Sequence, residues 1–173
     1  MTNRQTVDNR LEVGHLFLLG ALANRDVDFI LVGSCAEFLN GAPVHVRDVD
    51  VVHACDTTNV RRILRALEAV DAVFSLSGVR PNATHFPRCG HRNLMTRYGP
   101  LDLLGSIGSN LAYQDLLPRS VELDVAEALH IRVLDLETLI AIKEELGGEK
   151  DLAVLPTLRR TLEEKRKPPA TSH

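Results

Sequence analysis

The run DFILV, Asp28 to Val32, followed at once by Gly33-Ser34, constrains this chain more than any other stretch. Five residues rich in β-formers, apolar after the first, are too few for a helix and suit a strand buried on both faces. Gly33 then supplies a turn, and Ser34 is placed to cap a short helix over Ala36 to Leu39 that Asn40-Gly41 should stop. The next readable piece, Asp48 to Ala54 (DVDVVHA), alternates and is β-branched, which predicts a second strand. Thr57 or Thr58 could cap the helix after it, whose Val60, Ile63, Leu64, Leu67 and Val70 share a face. Upstream, Leu11, Val13, Leu16, Leu19, Leu22 and Ala23 recur at helical spacing and predict a helix over roughly 8–25.

From Ala72 to Val133 the chain breaks into short apolar pieces (AVFSL, NLMTR, LDLLG, VELDV and HIRVL) separated by Gly, Pro and Asn, which predict the strands of a mixed sheet. Helical spacing returns over Leu136 to Leu146 and Leu152 to Leu162, so Gly147-Gly148 should join a closing helical hairpin. The expected class is α/β (α+β): a mixed sheet flanked by helices, one domain over 1–167, with a flexible tail over 168–173 inside the charged end EEKRKPPATSH. A length of 173 residues, 45% of them hydrophobic and 25% charged, supports one core and excludes general disorder.

Charge and composition narrow the function. Lys+Arg is 20 against Asp+Glu 23, a formal charge of -3, so no global positive field gathers nucleic acid or anionic lipid. Five Phe, two Tyr and no Trp are too few and scattered for a base-stacking platform. No apolar run approaches the roughly 20 residues of a spanning helix, and the first residues, MTNRQTVDNR, are polar, so a cytoplasmic protein without membrane partners is expected. Cys35, Cys55 and Cys89, odd in number and widely spaced, read as reduced thiols.

Three features carry chemistry. In a strand, residues two apart share a face, so Asp48 and Asp50 emerge together while Val49 and Val51 enter the core. Two like charges on one face repel unless a cation lies between them, and Mg²⁺ suits oxygen ligands. Asp102 in GPLDLLG faces away from Leu101 and Leu103 and would make a third carboxylate if its strand neighbours theirs. The Gly33-Ser34 turn, between strand and helix, leaves N–H groups suited to phosphate, though on its own the plain structural turn is the better reading. Glu122 and Asp124, also at strand spacing, rank as a solvated face, and HFPRCGH (His85, Cys89, His91) as a loop, since it lacks a fourth ligand for zinc.

Together, Gly33-Ser34-x-Ala36, Gly41, Asp48-x-Asp50 and Asp102 resemble the nucleotidyltransferase superfamily related to DNA polymerase beta, and most closely its small bacterial members. The stretch Leu136 to Leu158, with Leu139, Lys143, Lys150-Asp151-Leu152 and Pro156, resembles their C-terminal helices. The resemblance implies two Mg²⁺ ions held by Asp48, Asp50 and Asp102, and a nucleoside triphosphate whose phosphates lie on Gly33 and Ser34. The reaction implied is transfer of a nucleoside monophosphate to an acceptor hydroxyl (protein, RNA or small molecule), releasing pyrophosphate. Arg47, Lys143 and Lys150 become nucleotide contacts, and a homodimer or partner protein could complete the acceptor site. Relatives usually carry Arg and Thr where this chain has Val44 and Val46. That departure keeps an alternative open: a fold with weakened turnover, binding a nucleotide or a protein as in a toxin–antitoxin pair.

Overall fold

The structure, a computed structural model, describes residues 11–168. Its main sheet has seven strands: β1 (Phe29–Val32), β2 (Val49–His53), β3 (Val73–Phe74), β4 (Arg92–Thr96), β5 (Gly99–Leu104), β8 (Ser120–Ala126) and β9 (Leu129–Leu134). They run in the order β3-β4-β5-β2-β1-β9-β8, while β6 (Ser106–Ile107) and β7 (Leu111–Ala112) form a separate two-stranded ladder. The sheet is mixed as expected: β1 is antiparallel to β2 but parallel to β9, and β2 is parallel to β5. All of β1 is buried, as an unbroken apolar run requires.

The helices are α1 (Val13–Ala23), α2 (Gly33–Leu39), α3 (Thr57–Ala69), the single turn α4 (Tyr113–Leu116), α5 (Leu136–Leu146) and α6 (Glu149–Arg166). Gly147 ends α5 in the left-handed conformation at φ 61°, so α5 and α6 make the expected hairpin. Leu136 and Ile140 of α5 pack with Leu155 and Leu158 of α6 and with Ala42, with Val44 at the margin. That second, smaller cluster anchors the hairpin beside the chain leading into β2.

Four expectations are corrected. Ser34 does not cap α2, because the helix starts two residues earlier than that cap requires, at Gly33, with Val32 in the capping position and no side-chain cap. Asp56, not Thr57 or Thr58, caps α3: its carboxylate accepts from the Asn59 amide at 3.0 Å. The α1 helix begins at Val13 rather than near residue 8, and 8–10 lie outside the described residues. Glu163 to Arg166, expected to belong to a frayed end, continue α6, aided by Arg160–Glu164 along the helix and Arg166–Glu137 across the hairpin; of the tail, 169–173 lie outside the described residues.

Asn59, fully buried, joins the two central strands at one end. Its Oδ1 accepts from the Asp28 amide at 2.7 Å, and its Nδ2 donates to the Asp28 and Ala54 carbonyls at 3.0 and 2.8 Å. The opposite end of those strands, where β1 meets Gly33, is thereby left as the place where side chains can diverge. Among the described residues, no helix is long and apolar enough to cross a membrane.

Candidate functional site

Strand register assembles the site. β2 lies between β1 and β5, with Asp50 opposite Val32 on one side and Asp102 on the other. Residues paired across a ladder share a face, so the Asp50 and Asp102 carboxylates stand side by side, half-buried. The alternate residues Val49, Val51, Leu101 and Leu103 are buried in the core, as strand parity predicted. Asp48 lies just ahead of β2, half-buried, and its charge acts on Asp50.

The pairing has an electrostatic cost. Burial is the largest cause that pushes the Asp50 carboxyl up, followed by the charge and hydrogen bond of Asp102 and the charge of Asp48, with Lys143 pulling the other way; the result is about 7. Asp102 is held from its other side by Asn93 of β4, whose Nδ2 donates to Oδ1 at 2.7 Å. Asn93 is the register partner of Asp102.

Gly33 closes the site against the first carboxylate. Its φ is +67°, and a Cβ there would collide with Asp50 Oδ2, so backbone and carboxylate are in direct contact only because the residue is glycine. Ser34, in the first turn of α2, is half-buried beside it. Behind the turn, Cys35 is fully buried, and burial, then the Asp50 charge, push its thiol up to about 12. Cys35 is therefore an inert packing residue rather than a nucleophile.

Lys143 sits at the site in a way the sequence did not disclose. Its Nζ lies 3.1 Å from Glu37 Oε1 on α2 and 3.1 Å from Asp151 Oδ1 on α6. Burial alone would favour losing the proton, but the Glu37 charge, then hydrogen bonds to Glu37 and Asp151, hold its pKa above the ordinary lysine value. Glu37 is 2% exposed, with Lys143 as its counter-charge. Its residue type, a charge inside the apolar stretch around Ala36 and Phe38, was the available signal. Lys150 is exposed in the first turn of α6, and Arg47 is exposed ahead of β2; among the described residues neither has an ion-pair partner.

Val44 and Val46 serve packing. Val46 is 6% exposed in the main core and Val44 flanks the hairpin cluster. Glu122 and Asp124 do form a solvated face on β8, paired with Arg132 and His130 respectively. The reduced-thiol expectation is corrected for two cysteines: Cys55 and Cys89 are joined as a disulfide, their Cα atoms 5.5 Å apart, and only Cys35 is free. The HFPRCGH loop therefore spends Cys89 on a crosslink. Among the described residues, no three His, Cys, Asp or Glu side chains are gathered as a metal-holding group. The donor chemistry at Asp50 and Asp102 nevertheless fits a divalent cation, because both offer hard oxygen ligands and their mutual repulsion needs a counter-charge.

No known protein family and no curated protein is matched by the sequence. Solved structures are matched. TM1012 of Thermotoga maritima, a candidate nucleotidyltransferase, superposes with a TM-score of 0.56 at 20% identity, over 90% of this chain and 98% of that one. The lincosamide antibiotic adenylyltransferase LnuA, in its lincomycin-bound form, superposes with a TM-score of 0.58 at 15% identity, over 89% of this chain and 99% of that one. Both matches span nearly the whole of the other protein, so the common ground is the complete architecture rather than one motif: the chain has a nucleotidyltransferase-like fold.

Proposed function

We propose that this protein is a Mg²⁺-dependent nucleotidyltransferase, moving a nucleoside monophosphate from a nucleoside triphosphate to an acceptor hydroxyl with release of pyrophosphate. The observation that carries the reading is the Asp50–Asp102 pair on adjacent strands, pressed against the glycine turn at Gly33. Asp48, Asp50 and Asp102 would hold the cations, which supply Lewis-acid polarisation of phosphate and stabilise the developing charge.

The chain's own residues do the rest. Gly33 and Ser34, in the first turn of α2, would offer backbone N–H groups to the triphosphate beside the Asp50 carboxylate. Asp102, oriented by Asn93, takes the proton of the acceptor hydroxyl as its oxygen bonds to the α-phosphorus and the bond to pyrophosphate breaks. Lys143 keeps its ammonium beside Asp50 through Glu37 and Asp151. Arg47, exposed ahead of Asp48, is free to reach a phosphate, and Lys150, exposed in the first turn of α6, is the second such cation. LnuA is a lincosamide antibiotic adenylyltransferase, which favours a small molecule among the expected acceptors of protein, RNA or small molecule.

A second reading has one observation in its favour. The packing roles of Val44 and Val46 leave two positions ahead of Asp48 without the polar side chains that relatives usually place there. On that reading the site binds a nucleotide, or a partner protein as in a toxin–antitoxin pair, without turnover.

One experiment separates them. Incubating the protein with each labelled triphosphate, Mg²⁺ and a cell extract should transfer label to one acceptor class, and Asp102→Asn should abolish transfer. Mg²⁺-dependent binding of a triphosphate without transfer would favour the binding module. Neither binding nor transfer with any common triphosphate would remove both nucleotide readings.

A further inference from the structure

The segment between β3 and β4 (75–91) carries little regular structure beyond the 3-10 turn Ala83–His85. Besides the Ser75 amide bond to the Asn93 carbonyl and the exposed Arg80–Asp71 ion pair, three ties hold it. Arg92, at the start of β4, donates to the carbonyls of His85, Gly90 and Arg88 at 3.0, 3.0 and 2.9 Å, and its guanidinium stacks on Phe86. Cys89 packs on Gly105, where a Cβ would meet its Sγ at 2.8 Å. The third tie is covalent, Cys89 to Cys55, which stands between β2 and the Asp56 cap of α3. Cys55 and Cys89 also line a pocket of about 320 Å³, together with His53, Leu64 and Phe86 among others.

The distribution of the cysteines is what gives this pair a role. Cys55 and Cys89 are both exposed at the surface, whereas Cys35 is 0% exposed. A reagent in solution reaches the crosslink directly, and no third thiol is placed to intercept the exchange. The Cα separation of 5.5 Å lies inside the range a disulfide spans without backbone movement, so the bond can open and close on an unchanged frame. Release would leave 75–91 held by Arg92, the Ser75–Asn93 backbone bond, the exposed Arg80–Asp71 pair and local packing, beside a pocket that the crosslink lines.

We propose that Cys55 and Cys89 are a reversible thiol–disulfide site that clamps the 75–91 segment over the β2–α3 junction and releases it when a dithiol reductant acts. One thiolate of the reductant attacks a sulfur of the pair, forming a mixed disulfide and freeing the other cysteine as a thiolate, which takes a proton. The second reductant thiol then displaces the remaining cysteine. The protein gains two electrons and two protons, and the reductant leaves as its own disulfide.

The test uses the wild-type protein. After purification without reductant and incubation with oxidised glutathione, a maleimide reagent under denaturing conditions should label one cysteine, and after dithiothreitol all three. In the folded, reduced protein it should label Cys55 and Cys89 only. Trypsin cleavage after Arg88 should rise several-fold on reduction, return on reoxidation, and stay fast in Cys55→Ser whatever the redox state. Three free thiols after the oxidant, zinc bound in equal amount to the protein and shielding the thiols, or cleavage at Arg88 that ignores reduction would each overturn the proposal.

Discussion

Replacing Asp50 with Asn should stabilise the metal-free protein by an amount that grows as the pH rises from 3.8 to about 7. The unfolded carboxyl titrates near its ordinary 3.8, while in the folded site burial and the neighbouring Asp102 push it up to about 7. The folded state therefore binds this proton more tightly, so the stability it contributes is complete below 3.8 and is lost as the pH rises through about 7. Each pH unit between the two values is worth about 1.36 kcal/mol, which makes the loss about 4 kcal/mol by pH 8. Asn keeps the shape and carries no charge, so the variant should not suffer that loss. At 2–4 °C for each kcal/mol in a chain of this size, Asp50→Asn should melt roughly 8–16 °C above wild type at pH 8 and level with it at pH 4. Saturating Mg²⁺ should narrow the gap by raising wild type while leaving the variant nearly unmoved. Calorimetry over pH 4 to 8 checks this. A gap that does not change with pH, or a variant less stable than wild type at pH 8, would refute the reasoning about the acidic pair.

Three further outcomes follow from the same contacts. Gly33→Ala should cost about 1–3 kcal/mol in denaturant unfolding from its positive φ and the collision with Asp50, and less in an Asp50→Ala background; equal costs in both would show that the two residues do not touch. Lys143→Met should cost about 3–5 kcal/mol by stranding Glu37, and Glu37→Leu added to it should recover much of the loss, whereas strictly additive effects would contradict the buried pair. Reducing Cys55–Cys89 frees a loop of sequence separation 34, for which loop-closure entropy gives about 4 kcal/mol, so dithiothreitol should lower the melting temperature of wild type but not of Cys55→Ser.

What was legible in the sequence was whatever one residue's neighbours dictate. DFILV reads as a buried strand because nothing in it can face water, and DVDVVHA puts its carboxylates and valines on opposite faces because a strand has a period of two. The five later strand pieces, the hairpin at Gly147-Gly148 and the solvated pair Glu122 and Asp124 are local in the same sense. The misses are contacts between distant segments. Cys55 and Cys89 are brought together by the fold, with nothing in their spacing to show it. Glu37 looks like a helix-surface residue until α5 is laid against α2. The α6 helix runs past its expected end because Arg166 reaches Glu137 on the neighbouring helix. Asp56, Thr57 and Thr58 are all good capping types in a row, and Asp56 caps α3 because its carboxylate reaches the Asn59 amide.

The charge balance of the site bears on the proposed chemistry more directly than any single residue. Asp50 and Asp102 meet across β2 and β5, Asp48 acts on Asp50 from the approach to β2, and Glu37 and Asp151 close in from α2 and α6. Lys143 is the cation found among these carboxylates, and two of them already engage it. Burial, then Asp102 and Asp48, hold the Asp50 proton high, and a lysine so engaged offsets them only in part. A triphosphate brought to Gly33 would add further negative charge to a cleft whose lysine is already committed. Under the proposed reading the exposed Arg47 and Lys150 supply the protein charge that remains, and the main attraction comes from divalent cations that arrive with the nucleotide. Binding of triphosphate should accordingly show an absolute requirement for Mg²⁺, whereas Lys143→Met should weaken the fold more than it weakens the dependence on the ion. Isothermal titration with and without Mg²⁺ measures both, and tight triphosphate binding in the presence of a chelator would show that the protein's own cations suffice.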